Sequence, residues 1–389
     1  MDSPEQRPAP LEVLVQEAER QLTVCNACRY CEGYCAVFPA LELRRDLKQD
    51  DIIYLANLCF ECRACYYACP FTPPHEFGLN IPQALAAVRR ETYAAYATPR
   101  LLSRLFGGSR FLLGLTVALC ILLVFGSVLL IQGSDVVFAG GAAPGSFYRV
   151  VPYTAMVIPA LALSAYWLVA LAAGGVRFWR GAGGTPRRLL EPSSLLRATR
   201  DAFGLAYLKG SGDGCAYPDE RPAHARRWLH QLLVGGILLD LASTSVAAVY
   251  HNFLGRDAPY AYTSWPVVLG TAGGLLIVLG ALGLLRLKRR ADPQPADAGM
   301  LALDYAFLVL LLLTSVSGLA LLVLRDTAAQ GTLLTVHLGI VAALYLTLPY
   351  GKFAHVVYRY AALVRYHIEQ RRALSPELDE GSKGRPADP

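Results

Sequence analysis

The chain has 389 residues, 54% of them hydrophobic and 17% charged, with a formal net charge of +6 at pH 7. That balance is too apolar for an ordinary water-soluble globule. The positive charge is modest and lies between apolar runs, so it reads as membrane orientation, and a nucleic-acid partner is not expected.

Residues 1–100 are soluble in character. The opening stretch MDSPEQRPAPLEVLVQEAER is polar and acidic with no apolar core. No signal peptide is therefore expected, and the N-terminus should start in the cytoplasm. Amphipathic helices are expected from Leu11 to Val24, over 41–58 and over 82–97, with Pro82 in the first turn of the third. Strand alternation is nearly absent, which points to an all-α fold.

Eight of the ten cysteines fall between Cys25 and Cys69, a clustering that favours metal binding over disulfides in a reducing compartment. They form an internal repeat: Cys25, Cys28, Cys31 and Cys35, then Cys59, Cys62, Cys65 and Cys69, the last followed by Pro70. This is the spacing of bacterial two-cluster ferredoxins, in which three close thiolates wrap one [4Fe–4S] cubane and the fourth reaches to the other. Cys25, Cys28, Cys31 and Cys69 are thus assigned to one cluster, and Cys59, Cys62, Cys65 and Cys35 to the second. Paired CxxC motifs also bind zinc, but the doubled four-cysteine repeat is far more specific for iron and sulfide. Cys35 lacks the following proline, a departure from the pattern. Cys120 lies in an apolar run and reads as a packing residue.

Six apolar segments follow, at about 111–132, 151–174, 229–251, 265–285, 302–324 and 333–356, each long enough to cross a bilayer as a helix. The basic residues concentrate in segments 176–227 and 286–299 and after 350, all on one side of a six-span arrangement. The positive-inside rule then places both termini in the cytoplasm. The expected plan is a cytoplasmic two-cluster ferredoxin-type domain over 1–100, a six-helix transmembrane bundle over 101–370 with a cytoplasmic loop at 176–227, and a disordered tail over 371–389.

Four histidines lie at the ends of two expected spans, His230 and His251 on the third and His337 and His355 on the sixth. Ionisable residues at membrane depth point to function. His337 and His355 are 18 residues apart, about five turns of one continuous helix, so they would face one way. Sidedness pairs His230 with His355 on the inner side and His251 with His337 on the outer side. That is the demand of bis-histidine ligation of b-type haem in a helical bundle. Two haems, or one on the inner pair, both satisfy it, and histidines that merely cap helix ends at the interface are the plain alternative. Arg226, Arg227 and Arg359 are placed to pair with propionates or to anchor the inner face. His75 reads as structural, and His224 lies off the helix.

At CNACRYCEGYC (25–35), CFECRACYYACP (59–70) and GCAYPDERPAHARRWLH (214–230) the chain resembles the tricarballylate utilisation protein B, or CitB-like, family. The resemblance covers most of the chain, and the YPDERP segment is its more specific part. It implies two [4Fe–4S] clusters and b-type haem. It also implies reoxidation of the reduced FAD of a tricarballylate dehydrogenase, with electrons passed to quinone in the bacterial cytoplasmic membrane. The histidine spacing is also similar to that of membrane haem subunits of respiratory nitrate reductase. No dinucleotide fingerprint follows an expected strand, and no catalytic triad stands out, so the chain itself is expected to hold no flavin or substrate site. A haem-free anchor donating directly to quinone and a redox-sensing membrane protein are the alternatives from other classes.

Overall fold

A computed structural model describes residues 10–106, 110–139, 145–184, 191–210 and 212–374. The cysteine-bearing part is built from helices whose apolar faces close on one another. α1 (Leu11–Cys28) stops where Arg29 turns left-handed at φ 58° and its N–H caps Cys25 O. α3 (Gln49–Leu58), after the short α2 (Val37–Glu42), has Asp50 and Asp51 in its first turn and buries every residue from Ile52 to Leu58. α4 (Ala64–Tyr67) lies within the second cysteine repeat. α5 (Ile81–Tyr96) begins with Asn80 accepting from Gln83 N and with Pro82 in the first turn, where a missing N–H costs nothing.

Six helices are long and apolar enough to span a membrane. With the short α6 (Arg100–Phe106), α8 (Ser134–Val137) and α9 (Ser146–Val150) between them, they are α7 (Arg110–Gln132), α10 (Tyr153–Gly181), α12 (Ala225–Leu254), α13 (Trp265–Arg290), α14 (Ala298–Leu324) and α15 (Gln330–Thr347). The segment between α10 and α12 folds as α11 (Pro192–Gly204), a 3-10 turn at Ala206–Lys209 and a two-stranded hairpin. In that hairpin β1 (Cys215–Ala216) pairs antiparallel with β2 (Pro222–Ala223), Cys215 opposite Ala223. The all-α expectation holds, since this hairpin holds the only strands among the described residues.

The close approach of α12 and α13 depends on small residues. A Cβ at Gly236 would sit 2.7 Å from Gly273 O, so only glycine admits this contact. The sixth span ends earlier than its hydropathy suggests. α15 stops at Thr347, Pro349 sits in a 3-10 turn, and α16 (His355–Leu374) starts afresh. Proline cannot donate the helical bond and disfavours helix before it, which breaks the run. His337 and His355 therefore lie on different helices, and the reading of their spacing as five turns of one helix does not hold.

α16 packs on α10, where Tyr358 stacks on Phe178, and joins the core of the cysteine domain. Tyr358, Leu363 and Val364 are buried in the same apolar cluster as Leu22, Ile52, Leu55, Leu85 and Val88. Leu208 and Tyr217, from the α10–α12 segment, enter it too. The loop after α13 clamps this domain to the bundle. Arg63 donates to Asp292 O at 3.0 Å, Tyr67 Oη to Asp292 Oδ2 at 3.0 Å, and Asn80 Nδ2 to Gln294 O at 2.8 Å. The expected tail is helical over 371–374, while 375–389, like Arg187 and Arg188, lies outside the described residues.

Candidate functional site

The two cysteine repeats exchange their fourth members. Cys25, Cys28, Cys31 and Cys69 line one cleft together with Tyr30, Phe38 and Phe71. Burial, then Cys31, Cys69 and Cys28, pushes the Cys25 thiol up to about 12. Cys35 belongs to the other nest. Its thiol is raised well above the ordinary value by burial and then by Cys62 and Cys59, and Cys65 is raised by burial and then by Cys62, Cys35 and Cys59. Left-handed turns at Glu61 (φ 55°) and Arg63 (φ 66°) curl the second repeat around its thiols. Backbone N–H groups of Glu61 and Phe71 donate to Cys59 Sγ and Cys69 Sγ, each at 3.4 Å. Such bonds favour thiolate and tune an iron–sulfur centre.

Among the described residues no three Cys, His, Asp or Glu groups converge closely enough to hold a single metal ion. The first nest instead rings a gap, and a cubane carries its thiolates on separate iron corners, wider apart than one ion would hold them. The donor set, all soft sulfur, fits that group. The nests differ in exposure. Cys28 is exposed and Tyr30 beside it is 65% exposed, whereas Cys59 and Cys62 are buried.

The structure brings His230 and His355 together, with ring centres 6.3 Å apart and planes at 86°. Two imidazoles on opposite faces of one iron have centres about 6 Å apart, because each nitrogen lies about 2 Å from the metal and each ring centre about 1 Å beyond. His355 Nδ1 donates to Lys352 O at 2.6 Å, which leaves Nε2 as the nitrogen that could ligate a metal. His230 Nδ1 is buried without a hydrogen-bond partner. The residues fit a bis-histidine haem at this pair.

His251 and His337 make no ring contact with each other among the described residues. His251 Nδ1 is 2.8 Å from Asp257 Oδ1, and its ring lies 3.6 Å from that of Tyr153. His337 Nδ1 is 2.9 Å from Ser317 Oγ on α14. His75 packs against Phe71 and Phe77 and accepts from Phe77 N at 3.1 Å, a structural role.

Sequence reasoning missed the connection between the second nest and the histidine pair. Arg226, one turn before His230, donates to Glu61 O at 2.6 Å. Arg359, one turn after His355, donates to Cys59 O at 2.9 Å and lies over Phe60 at 4.6 Å. Tyr217, in the hairpin of the YPDERP segment, is flanked by Arg63 at 4.5 Å and Arg226 at 4.9 Å. Arg89 is fully buried and donates to Cys59 O at 2.7 Å and Glu61 Oε2 at 2.5 Å. Asp304 pairs with Lys352 at 2.6 Å and with Lys288. Arg89, Arg226, Lys288, Lys352 and Arg359 against Glu61 and Asp304 make five cations minus two anions, a net of +3. Burial, then Arg89, lowers Arg359 to about 10. This excess suits a centre whose thiolates outweigh its iron charge, or propionates. The signal available in sequence was the i, i+4 placement of arginine beside each inner histidine.

The family comparison adds identity to this geometry. The family model for citrate utilization protein B matches residues 107–376, and that for its Fer4-like domain matches residues 18–95. Citrate utilization protein B of Escherichia coli is 43% identical over 360 residues, covering 92% of this chain and 93% of that protein. The chain belongs to the citrate utilization protein B family. No solved structure matches. The Fer4-like domain of the family spans both cysteine nests, and the second family model spans the six apolar helices and α16.

Proposed function

We propose that the chain is a membrane electron-transfer subunit that reoxidises the reduced flavin of a partner dehydrogenase and delivers the electrons to quinone. Two [4Fe–4S] clusters and a b-type haem, when bound, supply one-electron carriers between a two-electron donor and a two-electron acceptor. Cys25, Cys28, Cys31 and Cys69 hold the cluster nearer solvent, where Cys28 and Tyr30 face a partner. Cys35, Cys59, Cys62 and Cys65 hold the inner one. His230 and His355 hold the haem. The six apolar helices support a seat for this assembly in a bilayer, where quinone dissolves, and the basic segments support an orientation with both termini in the cytoplasm of a bacterium.

One observation carries this reading. Arg226 and Arg359 bind the backbone of Glu61 and Cys59 from positions one turn away from His230 and His355. The second nest and the histidine pair are therefore built as one unit, as short-range electron transfer requires. The name of the Escherichia coli relative connects that protein to citrate use, and the likeness to the tricarballylate utilisation family supports an FAD-dependent dehydrogenase of a tricarboxylate as this chain's donor.

The test is a combined iron, sulfide and pyridine-haemochrome assay on purified protein, followed by reduction with a reduced flavoprotein and reoxidation by a quinone. About eight non-haem irons and one haem per chain are expected from the two nests and the inner pair. Colourless or zinc-bearing protein refutes the reading. Iron with no haem would establish a cluster-bearing anchor in its place. His251 and His337, which make no ring contact with each other among the described residues, hold a second haem only if the assay returns two.

A further inference from the structure

We propose that a membrane quinone binds in the apolar cleft at the break between α15 and α16, an assignment that rests on the electron-transfer reading above. The cleft is lined by Leu113 of α7, Ala306, Phe307 and Leu310 of α14, and Gly351 and Phe353 of the connecting turns. Thr347, Leu348, Gly351 and Phe353 in its lining put it at the break itself. An apolar lining at membrane depth suits a lipid-soluble ring with a prenyl tail, and a small number of polar groups then orients it.

Those groups are at hand. Lys352, next to Gly351, pairs with Asp304, which precedes Ala306 by two residues on α14. Trp167 has a buried indole N–H with no hydrogen-bond partner, and its ring meets the edge of Phe353 at 6.1 Å. Both stand behind the lining rather than in it, Lys352 already held by Asp304, so the donor proposed for a quinone carbonyl is the unpartnered Trp167 N–H behind Phe353. Gly351 keeps the space open: a Cβ there would meet only Thr347 O, at 3.8 Å. The cleft also adjoins the inner histidine pair. Lys352 O is the acceptor for His355 Nδ1 at 2.6 Å, and Phe353 precedes His355 by two residues. A quinone seated here takes up two electrons, originating in the partner's reduced flavin, and two protons from water, and leaves as quinol.

The experiment uses the full-length protein in phospholipid nanodiscs with a photoreactive azidoquinone, followed by peptide mapping. Labelling is expected on peptides carrying 303–310 or 347–353, competed by unlabelled quinone and not by added phospholipid. Ala306→Phe and Gly351→Leu fill the cleft from two different segments. Each is expected to lower labelling, and to slow quinone oxidation of dithionite-reduced haem, by about tenfold. The haem spectra of both variants are expected to match wild type, which shows that each folds. Label elsewhere, displacement by phospholipid, or wild-type labelling and reoxidation in both variants overturns the site while leaving the electron-transfer reading intact. Wild-type haem that no quinone reoxidises overturns the reading itself.

Discussion

Arg359 offers the sharpest test of the union between the second nest and the histidine pair. Its guanidinium donates to Cys59 O at 2.9 Å, lies over Phe60, and brings a buried positive charge to the nest. Arg359→Gln replaces the guanidinium with a shorter, neutral amide and so removes the charge. Two unit charges about 8 Å apart at an effective dielectric of about 20 interact by roughly 2 kcal/mol. For a one-electron couple, at about 59 mV per tenfold, that is a shift of roughly 90 mV. Reduction adds negative charge, so loss of the cation destabilises the reduced state and the potential falls. The assay is a redox titration of purified protein, followed by electron paramagnetic resonance of the reduced clusters. Only one of the two signals is expected to move, because Cys28 of the other nest faces solvent, where charges are screened. Arg359→Lys keeps the charge and is expected to retain most of the potential. The reasoning is refuted if Arg359→Gln leaves both potentials unchanged at full iron content, or if Lys and Gln shift them equally.

Further outcomes follow from the same geometry. His355→Ala and His230→Ala are each expected to abolish the haem spectrum with iron and sulfide retained, whereas His251→Ala leaves the inner haem in place; pyridine haemochrome beside an iron assay decides this. Cys69→Ser is expected to disturb the cluster of Cys25, Cys28 and Cys31, and Cys35→Ser that of Cys59, Cys62 and Cys65; resonance spectra of the two variants should lose different signals, and loss of the same signal would refute the exchange. Gly236→Leu drives a side chain against Gly273 O and Ile277, an overpacking that costs about 1–3 kcal/mol. It is expected to lower haem occupancy through His230 on the same helix while cluster iron stays, measured by the ratio of haem to iron. Removing iron with a chelator under oxidising conditions is expected to leave the buried thiols protonated, with Cys25, Cys31 and Cys62 all pushed up to about 12 by burial first, and to open the 59–69 loop to protease; unchanged digestion would refute a metal-supported fold.

Much of the molecule was legible from local pattern. The cysteine repeat implies its chemistry because the ligands are a few residues apart, and the apolar runs imply helices because a bilayer satisfies no backbone hydrogen bonds. Pro82 likewise announced the start of α5, whereas its cap at Asn80 came to light only in the structure. The place of His355 was not legible in the same way. Hydropathy continues past Thr347, so the sixth span read as one helix, while Pro349 and the packing of Tyr358 and Val364 into the cysteine domain decided otherwise.

The amino-acid sequence by itself determined the clustering of the cysteines and the membrane-spanning character, since both depend on the composition of short segments. Only the tertiary structure decided how the second cysteine nest and the His230–His355 pair are joined. Arg226 reaches Glu61 across 165 residues and Arg359 reaches Cys59 across 300. Contacts of that separation leave no periodic trace in the chain, because they depend on where whole helices pack and not on the spacing within them.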